Sequence, residues 1–285
     1  MTSKTTSAPT CFGELAGDFA RGTNDNRPPL VFLPGLTFDR TMWRAARASL
    51  GTIDPGRTTL ALDMPGEGES IGVFRGLESA IEQLHVAIAS AGVENPVLVG
   101  HSGSAIAAMF YAMKYPVRGI VNVDAVLDNN AFSARLRALA PQLHNGGVAA
   151  LWDELFAAMH AERSGPDGEA MLRATSRPRP EVMLGYWAPV LAPPHIAAQA
   201  IDAAIAHLRA HHTAYTLVLA RNPIPRHARG WHGASPKRRL SRSPTAVTSL
   251  TSPIPTPLPA SSRVSSHDHR DGSTALRETN KRRPS

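Results

Sequence analysis

From about residue 29 to residue 124, short apolar runs alternate with helical patterns. PPLVFL (28–33), TTLALDM (58–64), PVLVG (96–100) and GIVNVD (119–124) are near-continuous apolar runs of strand length, as expected of strands buried on both faces. Between them, RTMWRAARASL (40–50), LESAIEQLHVAIASAG (77–92) and AIAAMFYAMKYP (105–116) carry apolar residues at helical spacing. Gly92 and Pro116 supply stop signals. This alternation predicts an α/β fold, a mostly parallel sheet flanked by helices. From about 129 to 212 the pattern becomes helical and Ala-rich, as in NAFSARLRALAPQL, GGVAALWDELFAAMH and PHIAAQAIDAAIAHLRAHH. That stretch predicts a helical lid inserted above the sheet. TLVLA (216–220) returns the chain to the sheet, and after Ala220 no periodicity remains. The predicted organisation is a flexible N-terminus (1–24), a core (25–128), a lid (129–212), one more core strand (213–220) and a Pro/Ser/Arg-rich disordered tail (221–285).

Composition agrees with a globular chain: 285 residues with 42% hydrophobic content suit one large domain. No run of about 18 apolar residues is present, so no membrane span or membrane partner is expected. The N-terminal MTSKTTSAPTCFGELAG has no apolar core of the kind a signal peptide needs, and Cys11 has no second cysteine to pair with. Both features point to the cytoplasm. The net charge of +7 first suggests nucleic-acid binding. Its distribution changes that picture. Residues 221–285 hold 13 Lys/Arg against 3 Asp/Glu, while residues 1–220 hold 17 against 20. The domain is slightly acidic and the basic character belongs to the tail. The tail has little aromatic interleaving and no recognition motif, so it predicts at most a non-specific, salt-sensitive contact with nucleic acid.

The candidate chemistry centres on VLVGHSGS (97–104), where a buried strand runs into Gly-His-Ser-Gly and then a helix. A nucleophile elbow holds its serine, here Ser102, on a tight strand-to-helix turn that needs small neighbours. Gly100, Gly103, Ser104, Ala105, Ala107 and Ala108 supply them, with Ser104 where the common G-x-S-x-G form has its last glycine. The helix N-terminus favours developing negative charge there. The plainer alternative is a Gly/Ser turn without chemistry. LPGLTFDRTMW (33–43) follows an earlier strand and could turn a backbone N–H toward the same point. The N–H groups of Leu36 and Gly103 would then form an oxyanion hole, the alternative being an ordinary loop. DMPGEGES (63–70) reads as a tight structural turn, with Asp63 a structural rather than a catalytic acid. Trp152, Phe156, Tyr186 and Trp187 would line a pocket or simply fill a core. No metal cluster, phosphate-cradling loop or dinucleotide fingerprint is visible, so no cofactor is expected and the partner is a small-molecule substrate.

In combination, LPGLTFDRTMW, DMPGEGES, VGHSGSAIAAMFYAMKYP and VNVDAV resemble the α/β-hydrolase superfamily of the esterase, lipase and haloperoxidase-like kind, over residues 25–220. The resemblance implies Ser102 as nucleophile, Leu36 and Gly103 as oxyanion donors, and hydrolysis of an ester or similar acyl compound. It also implies a base and an acid. The family's acid usually follows the strand after the lid, but this chain reads RNPIP there. Asp124, ending GIVNVD, or Asp128 could serve instead, and Asp124 is the favoured choice; its alternative is a strand-end cap. The family's histidine sits in a motif resembling G-H-F-P-H, which is absent. His101 points away from the elbow by turn geometry, His195, His207, His211 and His212 belong to the lid, and His227, His232, His267 and His269 lie in the tail. His267 is the best placed by order, although no strand leads into it. A reading-frame change after about residue 226 would explain the gap. Shifted by one base, RHARGWHGASPKR permits ARAWLARRLPEA and LTSPIPTPLPAS permits HFPHPDTPARF. Three readings therefore stand: an active serine hydrolase, a hydrolase-fold protein impaired by loss of its histidine, and non-specific nucleic-acid binding through the tail.

Overall fold

The computed structural model describes residues 10–23, 26–70, 74–127, 130–219 and 248–250, all within the unit Met1–Pro253. The chain begins with two short strands, β1 (Cys11–Phe12) and β2 (Leu15–Ala20), and continues into β3 (Leu30–Leu33). A one-turn 3₁₀ segment at Arg40–Trp43, capped by the Asp39 carboxylate accepting from Thr41 N–H at 2.8 Å, opens α1 (Arg44–Ile53). Then follow β4 (Thr59–Leu62), α2 (Leu77–Ser90), β5 (Val97–His101), α3 (Gly103–Lys114) and β6 (Gly119–Val123). Five α-helices come next: α4 (Asn130–Gln142), α5 (Val148–Ala158), α6 (Gly165–Thr175), α7 (Pro180–Leu191) and α8 (Pro194–Ala210), with short helical turns at Leu143–Gly147 and Ala161–Ser164 between them. β7 (Ala214–Leu219) and β8 (Thr248–Leu250) complete the elements.

The sheet runs β1-β2-β4-β3-β5-β6-β7-β8. Its centre, β4-β3-β5-β6-β7, is parallel; β1, β2 and β8 pair antiparallel at the two edges. The continuous apolar runs of the sequence are therefore the strands covered on both faces. On one face Leu84, Ile88, Ala108, Met109, Ala204 and Leu208 pack against Leu60, Leu98 and Ile120. On the other, Trp43 packs with Phe32, Ala61 and Val99. A separate core of Leu136, Leu143, Val148, Leu151, Trp152, Phe156, Met183 and Trp187 holds the α4–α7 helices together, and Phe38 enters it from below. Among the described residues, no helix is long and apolar enough to cross a membrane.

Two expectations need correction. The N-terminal 24 residues include β1 and β2, and Asp63 N–H bonds Ala16 O at 2.9 Å. The antiparallel β2, which carries Gly17 and Asp18, lacks the apolar run that marks a parallel inner strand. The stretch expected to form the lid, 129–212, serves two cores, because α8 buries Ala204 and Leu208 against the sheet core. Helical periodicity reveals a buried stripe but not what buries it. Within the expected tail, Thr248–Leu250 pairs with Leu217–Leu219. The remainder of 221–285 lies outside the described residues.

Candidate active site

The site is assembled by strand register. Leu33 pairs with Gly100, and His101 with Val123. The segments that follow, Pro34–Asp39, Ser102–Ser104 and Asp124, therefore emerge together at the C-terminal edge of the sheet, where open α/β sheets place their ligands. Ser102 N–H donates to Val123 O at 2.9 Å, fixing the elbow to the neighbouring strand.

Ser102 has φ 53° and ψ −127°, a backbone conformation that costs a non-glycine residue roughly 1–3 kcal/mol. Surrounding structure enforces it. β5 stops at His101 and α3 starts at Gly103, so one residue makes the whole reversal. The approach is close enough that a Cβ on Gly100 would lie 2.6 Å from the Ala105 backbone. Ser102 and Gly103 are exposed, and the N-terminus of the 12-residue α3 lies immediately behind the hydroxyl. Ser104 is buried, and its hydroxyl donates to the Pro34 carbonyl. The residue in the place of the usual glycine thus ties the elbow to the loop carrying Leu36.

Asp124 also has positive φ, 58°. Its turn is held by buried Asn122, whose Oδ1 accepts from Ala125 N–H at 2.9 Å and whose Nδ2 donates to Ala125 O at 2.8 Å and to the Tyr215 oxygen at 2.7 Å. Asp124 N–H bonds Val218 O at 2.8 Å. The carboxylate lies close enough to His101 to favour that ring's protonated form, while burial acts more strongly and lowers the His101 pKa. The His101 ring faces Gly35, where a Cβ would meet Nδ1 at 2.4 Å, and packs edge-on to Phe38. Nδ1 is enclosed and has no hydrogen-bond partner among the described residues. Asp128 and His267 lie outside the described residues. Among those described, no imidazole bonds the Ser102 hydroxyl.

The turn after β4 separates two acids. Asp63 is fully buried and accepts from Arg40 N–H at 2.6 Å, Arg40 Nη1 at 2.6 Å and Glu69 N–H at 2.8 Å. Gly68 is obligatory there, since a Cβ would lie 2.2 Å from Asp63 Oδ2. Arg40 also reaches Asp18 on β2 at 3.0 Å and Glu69 at 2.7 Å, so Asp63 and Arg40 together knit β2, the Leu36 loop and the turn. Glu67, which the sequence did not single out, accepts from Thr37 N–H at 3.1 Å. Trp152, Phe156 and Trp187 are buried in the lid core, and Tyr186 stacks near Phe74 while donating to Pro65 O at 3.1 Å. Among the described residues, no group of three or more His, Cys, Asp or Glu could hold a metal ion.

The family described as "Alpha/beta hydrolase family" matches residues 30–263. The chain belongs to the alpha/beta hydrolase family. RutD of Escherichia coli O127:H6, whose name marks it a candidate carbamate hydrolase, is 28% identical over 132 residues, which are 45% of this chain and 48% of RutD. The chain thus spans about half the length of such relatives. Among solved structures, the enol-lactonase of Burkholderia xenovorans LB400 superimposes with TM-score 0.50 at 17% identity, covering 67% of this alpha/beta hydrolase and 74% of the lactonase. AqDC, whose structure with product concerns ring-cleavage of the Pseudomonas quinolone signal, gives TM-score 0.52 at 15% identity over 75% and 80% of the two chains. At these identities the two structures speak for the fold alone. They agree with the parallel sheet and flanking helices of this alpha/beta hydrolase.

Proposed function

We propose that this chain is built as a serine hydrolase for an ester or similar acyl small molecule. The observation that carries the reading is Ser102, exposed in a left-handed backbone conformation between β5 and the N-terminus of α3. Such a conformation persists where surrounding structure enforces it, and reactive sites are where it concentrates. In this reading Ser102 Oγ loses its proton to a base and attacks the acyl carbon. The N–H groups of Leu36 and Gly103 stabilise the oxyanion, and the alcohol or amine leaves with a proton. Water then attacks the acyl-serine and releases the acid. Asp124, beside the elbow, is the acid of the arrangement. A carbamate, as named for RutD, contains the same kind of acyl carbon and falls within this substrate class. Hydrolysis of a short p-nitrophenyl ester tests the reading: measurable turnover by the purified chain, lost in Ser102→Ala, supports it, and turnover unchanged in Ser102→Ala ends it.

A second reading is favoured by the base. The imidazole beside the elbow, His101, is turned against Gly35, and no imidazole reaches Ser102 Oγ among the described residues. In this reading the chain is a hydrolase scaffold impaired by a reading-frame change after about residue 226. Triads stripped of their base keep only the catalysis of the oxyanion hole and of binding. The gene's codons decide between them. Codons over LTSPIPTPLPAS that encode HFPHPDTPARF in the next frame support the impaired reading, and codons incompatible with it remove that reading.

A further inference from the structure

Three parts of the fold converge on the segment Pro34–Asp39, and each holds it by a different bond. From the elbow, buried Ser104 donates its hydroxyl to Pro34 O. From the turn after β4, Glu67 Oε1 accepts Thr37 N–H at 3.1 Å. From the helical segment above, Thr175 O accepts Asp39 N–H at 3.0 Å, and Arg177 N–H donates to Thr37 O at 2.7 Å. Phe38 then inserts among Trp152 and Phe156. Thr37 itself is 1% exposed with φ 74°, a conformation a non-glycine residue keeps only when its surroundings impose it.

Glu67 sits where these parts meet. It is 1% exposed, and Oε2 has no hydrogen-bond partner among the described residues. Arg179 at the start of α7 straddles the same turn, donating to Gly66 O at 2.7 Å and Gly68 O at 3.1 Å. Its charge favours the Glu67 carboxylate; Asp63 after β4 and Glu181 on α7 oppose it. The Tyr186 hydroxyl on α7 also faces this carboxylate and is held neutral by burial and by Glu67's charge.

We propose that Glu67 and Ser104 are positioning residues that fix the Leu36–Thr37 backbone between the elbow and the helices above it, and so aim Leu36 N–H at the point where charge develops on the substrate. Thr37 N–H is committed to Glu67, which leaves the preceding N–H for the site. The inference rests on the reading of Leu36 as an oxyanion donor. A carboxylate is a stronger acceptor than a carboxylic acid, so the grip on Thr37 tightens as Glu67 ionises. Burial pushes that ionisation up to about 7, which puts the change within easy experimental reach.

The test is the amide spectrum of the full chain, followed by nitrogen–proton NMR from about pH 5 to about pH 9. In the wild type the Thr37 and Leu36 signals move together with a midpoint near neutrality, and in Glu67→Gln, which keeps an oxygen for Thr37 but cannot ionise, they stay still. A Thr37 signal that does not titrate in the wild type, or that titrates equally in Glu67→Gln, overturns the proposal. Ser104→Ala displaces the Leu36 signal and slows fluorophosphonate labelling of Ser102 by about tenfold; an unmoved Leu36 signal with an unchanged rate overturns Ser104's part. If the wild type resists labelling at every pH while Thr37 still titrates, the hydrolase reading fails and the positioning of the loop stands.

Discussion

Ser102, Gly100 and Glu67 each make a claim that a single substitution can test. Gly100 is required by the distance from its Cβ position to the Ala105 backbone, 2.6 Å. Gly100→Ala is therefore expected to cost about 2–3 kcal/mol of stability, measured as a fall in the urea midpoint. Glu67 makes stability depend on pH. Burial raises its folded pKa to about 7 from 4.5, so the folded chain holds this proton more tightly than the unfolded chain does. Its contribution to stability is fullest below the ordinary carboxylate range and is lost as pH rises toward 7, then stays constant. The loss is on the order of 3 kcal/mol. Comparing wild type with Glu67→Gln at about pH 5 and about pH 8 isolates it, because other carboxylates titrate alike in both. The sequence displayed Ser102, since elbow geometry demands a recognisable run of small residues. It did not display Glu67 or the Ser104 hydroxyl. Their roles come from burial and from partners 30 and 70 positions away, which spacing along the chain does not encode.

Among the elements, the five inner strands were legible because parallel strands buried on both faces write themselves as unbroken apolar runs. β1 and β2 were not, and the reason is visible in Asp18, whose half-exposed carboxylate pairs with Arg40 and Arg47. A polar residue that breaks an apolar run can thus be part of the sheet's attachment. Arg40→Met leaves fully buried Asp63 without its cation and is expected to cost about 3 kcal/mol, read by thermal or urea unfolding. The helical segment was legible as helical but not in its division, with α4–α7 sharing one core and α8 joining the sheet. Phe38 is the joint between the Leu36 loop and the α4–α7 core. Phe38→Ala removes a buried ring and is expected to cost about 3–5 kcal/mol, together with a slower reaction at Ser102.

For the whole molecule, the membership in the alpha/beta hydrolase family rests on a match across residues 30–263, which includes part of the stretch whose Pro/Ser/Arg composition departs from that of the domain. The charge division has the same boundary: acidic residues are in slight excess before residue 221, and basic residues are in large excess after it. Ser102 and the Leu36 loop both lie before that boundary, so the role proposed for Ser102 can be tested on the protein as it stands. Treatment with a fluorophosphonate followed by peptide mass mapping is the most direct measurement. The proposed nucleophile role predicts one adduct, on Ser102, absent in Ser102→Ala. An unmodified Ser102, or an adduct on a different residue, would contradict it.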